Sequence, residues 1–426
     1  MFKKTFGSKP YYIFYVCLTV LILSFYTLGK GNDFLTQRKA KNIMFLVHTE
    51  SIGGKGVYEI YHEMKKAGHT VKIVATPSFY YGKLITDVDK KFISKFEKTD
   101  VILPCGEKPY QNCTGLEQFQ FDYIFVQNPY DTFNGSILDP NFIHRSLKKI
   151  TKKLAFIVYG PHIFHQDGIN DKNLKNIVDL VFVDSESTKK IYVERYDFPK
   201  NRVIVSGYQT YHTIRENVKF QKSKESKESE TILWMPRWTL SFKNRDTFEG
   251  GSTFLNYHYF FYNHAKDNQD KKFIIRPHAL LTNYAIKNQH LSHEDFEQIW
   301  NRFNNLKNVR TSSHIDNSLV DDVLQSDIVI ADGTSAIAEA IVADKPIIYL
   351  SNGWNNEFNS NDLSKELQRQ VFIAYDPEDI LKHMDTIRKN NYSPIVDDKK
   401  SRESFKMALD PVKNPAHFIA QYCLFE

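Results

Sequence analysis

Between Ser326 and Leu350 two short apolar runs flank a polar turn and a helix-forming stretch, an order that leaves few folds open. Ile328–Ala331 is apolar and rich in β-branched residues, the composition of a parallel strand buried on both faces. Asp332-Gly333-Thr334-Ser335 is a tight polar turn. Ala336–Ala343 is a strong helix former closed by Asp344-Lys345-Pro346, and Ile347–Leu350 is a second buried strand. This is a βαβ unit with a small, hydroxyl-rich turn where its helix begins. Backbone N–H groups and the helix dipole at such a point favour a phosphate. The same turn also serves as an ordinary cap, in which Thr334 or Ser335 only satisfies free N–H groups.

The same pattern recurs on both sides of this unit. Asn42–Val47 and Thr70–Ala75 read as strands around a helix Val57–Ala67, a Rossmann-like opening. Gly53-Gly54-Lys55-Gly56 between them lacks the Gly-Lys-Ser/Thr spacing of a P-loop. It reads as a flexible strand-to-helix turn, with substrate contact as the alternative. Further strands are expected at Tyr123–Val126, Leu154–Val158, Leu180–Val183 and Arg202–Ser206, then at Ile232–Met235, Lys272–Arg276 and Val309–Thr311. Phe220–Thr231 interrupts the series with a polar, low-complexity stretch and reads as a linker. The 426 residues therefore divide into an α/β chain of two Rossmann-like domains facing a cleft. The expected spans are 1–40 for an anchor and spacer, 41–215 for an acceptor domain, 216–231 for the linker, 232–400 for a nucleotide-donor domain and 401–426 for a closing helix.

Tyr11–Leu28 carries no charge and is just long enough to span a bilayer. A cleaved signal peptide is the alternative, but Leu28-Gly29-Lys30-Gly31 is a poor cleavage site, and an uncleaved N-terminal membrane anchor is the favoured reading. The net charge of +6 is mild and the lysines are dispersed, so no nucleic-acid footprint is present. Four cysteines, with Cys17 inside the apolar run, give no disulfide framework and no paired metal-ligand spacing. Asn112-Cys113-Thr114 and Asn134-Gly135-Ser136 match the glycosylation sequon, which matters only for a lumenal domain.

Chemistry-bearing residues collect at strand ends. Gly160 and Pro161 break the strand after Val158 and present His162 in a loop, either as a base near neutral pH or as an imidazole bonded within the turn; His165 is a weaker candidate. Arg276-Pro277-His278 closes another apolar strand and suits an anionic phosphate, unless Arg276 pairs with a surface carboxylate. Pro236 ends the Ile232–Met235 strand and sets Arg237 and Trp238 over the cleft, or else Trp238 belongs to the core with Arg237 at the surface.

The order of these segments resembles the CDP-glycerol glycerophosphotransferase family, the teichoic-acid type of polymerase and primase. Val178–Thr188 followed by Phe198–Tyr208 looks like that family's approach to a Gly-Tyr-Pro turn, with Gln209 in place of Pro. Ile232–Trp238 resembles its Pro-x-Trp-Arg strand end, with Thr239 where Arg usually stands. Arg276-Pro277-His278 resembles its Arg-x-His. Ala331–Ser335 resembles its Thr-Asp-Tyr-Ser-Ser, with Gly333 for Tyr and Thr334 for Ser. Tyr159–His162 is loosely similar to its Trp-His-Gly-Thr-Pro loop, and Lys413–Tyr422 to its closing helix. The likeness runs from Lys153 to Tyr422.

The resemblance implies the glycosyltransferase-B (GT-B) architecture and a displacement at phosphorus. An acceptor hydroxyl would attack the β-phosphate of CDP-glycerol, or a similar CDP-alditol, and CMP would leave. His162 would be the base, Arg276 and His278 would stabilise diphosphate charge, and Arg237, Asp332, Gly333, Thr334 and Ser335 would hold the donor, with Glu339 on the ribose; Asp332 could instead orient the loop. No cofactor and no dedicated metal site are expected, a loosely held Mg²⁺ being compatible with the chemistry. The partners would be the nucleotide-activated donor, a lipid-linked or polymeric hydroxyl acceptor and the membrane, with the catalytic part facing the cytoplasm. Two other readings stay open: a GT-B glycosyltransferase using a sugar nucleotide for surface glycan, and a catalytically silent, membrane-anchored binding protein.

Overall fold

The computed structural model describes residues 39–48, 54–80, 83–106, 113–129, 139–163, 172–221, 229–240, 251–312, 318–353, 358, 361–394 and 399–425. The expected anchor at Tyr11–Leu28, both sequon asparagines and His165 lie outside them. Among the described residues no helix is long and apolar enough to cross a membrane.

Two parallel sheets organise the chain. The first has seven strands, β1 (Asn42–Val47), β2 (Thr70–Ala75), β5 (Val101–Ile102), β6 (Phe121–Val126), β7 (Thr151–Ile157), β8 (Leu180–Val183) and β9 (Val203–Val205), in the order β5-β2-β1-β6-β7-β8-β9. A short antiparallel hairpin, β3 (Ser78–Tyr80) and β4 (Lys83–Thr86), stands apart from it. The second has six strands, β10 (Thr231–Met235), β11 (Lys272–Ile275), β12 (Val309–Thr311), β13 (Ile328–Ala331), β14 (Ile347–Leu350) and β15 (Phe372–Ala374), in the order β12-β11-β10-β13-β14-β15. Both central regions are almost wholly apolar because parallel strands bury both faces. The burial pattern of β10, β13 and β14 is buried at every residue.

Each sheet is covered on both sides. The helix Val57–Lys66 and the C-terminal helix Pro415–Phe425 share one face of the first sheet, where Ile60, Tyr61, Ala416 and Ile419 join Phe45 and Phe125 in one core. The opposite face packs Leu147, Leu174 and Tyr192 on Met44, Ile124 and Phe156. In the second domain Trp234 stacks on Phe254 at 5.7 Å on one side of the sheet, and Leu233, Val329 and Ala331 pack with Ala338 and Ile341 on the other. Helix starts are set locally: Ser292 and Asp295 form a capping box, as do Asn361 and Ser364.

The domain boundary falls earlier than residue 215. The helix Gln209–Gln221 runs through that position, and Tyr208, Tyr211 and Ile214 belong to the core of the second sheet. The chain end also divides in two: Lys399–Leu409 packs on the second domain, and Pro415–Phe425 returns to the first. Aromatic residues before and within a polar-looking helix carried the first crossing, and composition alone hid it.

The absence of a disulfide framework is corrected for one pair. Cys105 and Cys113 are bridged. The chain doubles back between β5 and β6, with Thr114 N–H donating to the carbonyl of Pro104 at 2.9 Å, and this reversal brings the two thiols together. Spacing along the sequence does not reveal such a fold-back.

Candidate functional site

Open α/β sheets bind ligands at the carboxyl edge where the strand order reverses. In the second sheet that point lies between β10 and β13, with Met235 opposite Ala331. Arg237 and Asp332 are therefore neighbours. The Asp332 carboxylate is fully buried and accepts the backbone N–H of Arg237 at 2.7 Å, the N–H of Thr253 at 2.8 Å and the Thr253 hydroxyl at 3.1 Å. Burial pushes its pKa up to about 6, with the Thr253 and Arg237 bonds holding back part of the rise. The Arg237 guanidinium donates to the carbonyl of Gly333 at 2.7 Å and to the Thr239 hydroxyl at 2.8 Å. Both side chains thus brace the turn. Of the two readings of Asp332, loop orientation is the one its bonds support. Thr239, which stands where the resemblance leads one to expect Arg, fixes Arg237.

The turn itself is compact. The Thr334 N–H bonds back to the carbonyl of Asp332, and the Ile337 N–H to that of Thr334. The helix that follows is only Ile337–Val342, six residues long. A strong macrodipole is not available from so short a helix, so any phosphate here depends on local N–H groups and side chains.

Arg276 ends β11 and turns inward. It donates to Asp322 at 2.6 Å and to the Ser312 hydroxyl at 3.2 Å, while Arg310 takes the other Asp322 oxygen at 2.8 Å. The expected alternative, a surface carboxylate, becomes a fully buried one. Two guanidiniums on one carboxylate leave a net positive charge at this edge. His278 is exposed, with its ring 6.0 Å from that of Trp238. Its Nδ1 accepts the Leu280 N–H at 3.2 Å, so in the neutral ring the proton sits on Nε2, which is then a donor.

His162 is at the expected strand end of the first sheet but is not presented to solvent. It is 2% exposed, and its ring stands edge-on to Tyr192 at 5.5 Å. Asn361, from the second domain, donates to the carbonyls of His162 and Ile163 at 2.8 and 2.9 Å. The expectation of an exposed base is corrected here: Pro161 and the Asn361 clamp fold the turn inward.

The two carboxyl edges face one another. A methyl placed on Gly160 would lie 3.9 Å from Ser335 Oγ, and the Tyr208 hydroxyl donates to the carbonyl of Tyr159 at 2.8 Å. Glu339, one turn into the short helix, is 2% exposed with Oε2 lacking a hydrogen bond. Burial raises its pKa, opposed by Lys55 of the first domain and, more weakly, by Arg276. Asp184, at the end of β8, also acts on Glu339. It is itself fully buried and pushed up to about 6 by burial. The hydroxyls of Thr188 and Ser185 lie close enough to offset part of that shift without hydrogen-bond geometry to either oxygen. The sequence offered the turn of Lys55 as a flexible connection, with substrate contact as the alternative, and gave Asp184 no role. The available signals were a lysine between glycines at a strand-to-helix turn and a carboxylate closing an apolar strand. Among the described residues no group of three or more His, Cys, Asp or Glu side chains is arranged to hold a metal ion.

Two Rossmann-like domains with parallel sheets meeting edge to edge define the GT-B type of architecture. No protein-family model and no curated protein matches the chain. Solved structures do match it in fold. The wall teichoic acid polymerase TagF superposes with a TM-score of 0.53 at 12% identity, over 91% of this chain and 88% of that one. The UDP-GlcNAc 2-epimerase of Methanocaldococcus jannaschii, solved with UDP-GlcNAc and UDP, gives 0.55 at 13% identity over 90% of this chain and all of the other. The Neisseria meningitidis UDP-GlcNAc 2-epimerase bound to UDP-GlcNAc gives 0.53 at 13% identity, again over 90% and all of the respective chains.

Proposed function

We propose that this chain is a membrane-associated transferase that moves glycerol phosphate, or a similar alditol phosphate, from a CDP-linked donor to a hydroxyl of a lipid-linked or polymeric cell-surface acceptor. The observation that carries the proposal is the braced Arg237–Asp332 turn at the second sheet's reversal point, with buried Glu339 one turn on and the Arg276 edge beside it. Such a site offers hydrogen bonds to ribose hydroxyls and positive charge to a diphosphate. Its support from outside is the fold likeness to a teichoic acid polymerase and to epimerases solved with uridine nucleotides, joined to the Arg-x-His and Asp-x-x-Ser patterns at two strand ends of the second sheet.

In this reading the acceptor oxygen bonds to the β-phosphorus as the bond from that phosphorus to the CMP oxygen breaks. The acceptor proton passes to a base or solvent, and CMP leaves. The work of the protein is positioning and charge stabilisation. His278 donates from Nε2 to a diphosphate oxygen. Arg276 and Arg310 add a fixed positive field. Glu339 accepts from the ribose. Thr334 and Ser335 line the phosphate side. His162 remains the candidate base that the resemblance implies, buried edge-on to Tyr192 in this structure.

A second reading, a glycosyltransferase using a sugar nucleotide, is favoured by the epimerase likeness, since those proteins hold UDP-GlcNAc. A donor screen on the purified full chain separates the two. Release of CMP from a CDP-alditol supports the first, release of UDP or UMP from a sugar nucleotide supports the second, and turnover of no donor supports a silent binding protein.

A further inference from the structure

We propose that Lys55, on the first domain, is a ligand of the donor diphosphate, so that both sheets complete the donor site. The proposal rests on the reading of the cleft as a nucleoside-diphosphate site and adds to it a residue that the second domain cannot supply.

The turn that carries Lys55 is firmly placed. Gln127, at the end of β6, donates its amide to the carbonyl of Lys55 at 2.8 Å. Gly56 adopts φ +70°, and a Cβ there would lie 2.5 Å from Gln209 Cβ, so only glycine lets the turn sit this close to the crossing helix. Gln209 is held in turn by the Ala416 N–H, 3.0 Å from its Oε1. Gly56 caps the ten-residue helix Val57–Lys66 with no side-chain bond, leaving that helix start to backbone groups alone. The turn also flanks the first sheet's own reversal point, between β1 and β6.

The turn packs on the helix Gln209–Gln221, whose Tyr211 and Ile214 share the second domain's core with Ala338 and Ile341 of the Glu339 helix. Among the described residues Lys55 makes no ion pair and no side-chain hydrogen bond. Burial lowers the pKa of its ammonium, Glu339 opposes that, and Arg276 adds to it. Glu339 is 2% exposed and its Oε2 accepts no hydrogen bond. A cation and a carboxylate that feel each other from opposite domains, without an ion pair between them, leave a gap for a third party. That party must offer hydroxyls to the carboxylate and anionic oxygens to the ammonium. A nucleoside diphosphate does both: its ribose meets Glu339, and its phosphates meet Lys55 on one side and the Arg276 edge on the other.

The test titrates CDP and cytidine separately into full-length wild-type protein, Lys55→Met and Lys55→Arg. Cytidine keeps the base and ribose but has no phosphate. The expected result is a rise of tenfold or more in the Kd for CDP in Lys55→Met, an unchanged Kd for cytidine, and largely restored CDP binding in Lys55→Arg. Unchanged CDP binding in Lys55→Met overturns the proposal, and so does an equal loss of CDP and cytidine, which would mark a general structural role. If wild type binds UDP and not CDP, the cytidine donor is wrong, and the same comparison with UDP and uridine still decides on Lys55. If wild type binds neither diphosphate, the proposal falls together with the reading of the cleft.

Discussion

Arg237 and Asp332 hold each other's backbone: the Asp332 carboxylate takes the Arg237 N–H at 2.7 Å, and the Arg237 guanidinium takes the carbonyl next to Asp332, that of Gly333, at the same distance. Asp332→Ala would leave the Arg237 and Thr253 N–H groups buried without acceptors, at about 1–3 kcal/mol each. The expected outcome is a clear fall in Tm with a parallel loss of nucleotide affinity, measured by thermal denaturation and titration. An unchanged Tm would show that the brace carries no weight.

Arg276 tests structure against function in one position. Arg276→Ala leaves Asp322 with Arg310 as its remaining cation among the described residues and should destabilise by about 1.5–3 kcal/mol. The double change Arg276→Met with Asp322→Leu removes both charges and should recover most of that stability. Turnover should not recover, because the Arg276 guanidinium is gone from the end of β11, although Arg310 keeps the net charge of the edge unchanged. Recovery of both would make Arg276 purely structural.

For His278 the expectation is the reverse. The ring is exposed, with Trp238 beside it, so His278→Ala should leave stability within about 0.5 kcal/mol of wild type. Loss of a donor to the diphosphate should cost on the order of 10²–10³ in kcat. Wild-type turnover in the variant would remove His278 from the site.

Asp184 should impose a pH dependence on stability. Its folded pKa is near 6 and its unfolded value near 3.8, so between those values the native state binds more protons than the unfolded one. Stability from this group is full below about pH 4 and is lost as pH rises through about 6. Asp184→Asn should therefore be more stable than wild type at pH 7.5, and the difference should vanish near pH 4. A Tm series across that range checks the sign; a variant less stable at pH 7.5 would mean that the ionised carboxylate has a partner.

The Cys105–Cys113 bridge bears on the proposed membrane association, because such bonds persist in oxidising compartments. If Tyr11–Leu28 is a single spanning anchor, a short tail with Lys3, Lys4 and Lys9 would stay in the cytoplasm and put the domain on the far side. We therefore expect both thiols to resist alkylation in intact cells until a reductant is added, and Cys105→Ser with Cys113→Ser to lose about 2–3 kcal/mol. Free thiols in cells would return the domain to the cytoplasmic side, where an enzyme fed by cytoplasmic nucleotides is first expected.

What the sequence determined by itself was the alternation of buried strands and helices. Asn42–Val47, Ile328–Ala331 and Ile347–Leu350 are strands with the expected bounds because a doubly covered parallel strand is apolar wherever it is buried, the exposed Asn42 at the start of β1 being polar. The two-residue β5 and the short β15 were too brief to carry such a signal. Sequence also placed Arg237, Arg276, His278 and Asp332 at strand ends, since Pro and Gly mark where a strand stops. Which way each side chain turns was decided only by tertiary structure. Asp322, 46 residues from Arg276, draws that arginine inward. Asn361, 199 residues from His162, clamps that histidine's turn. Lys55 and Glu339 come within range of each other's charge only because the helix Gln209–Gln221, on which the Gly56 turn packs, belongs to the second domain's core. Local composition encodes period and burial; the direction of a polar side chain depends on partners that lie close in space and far apart in the chain.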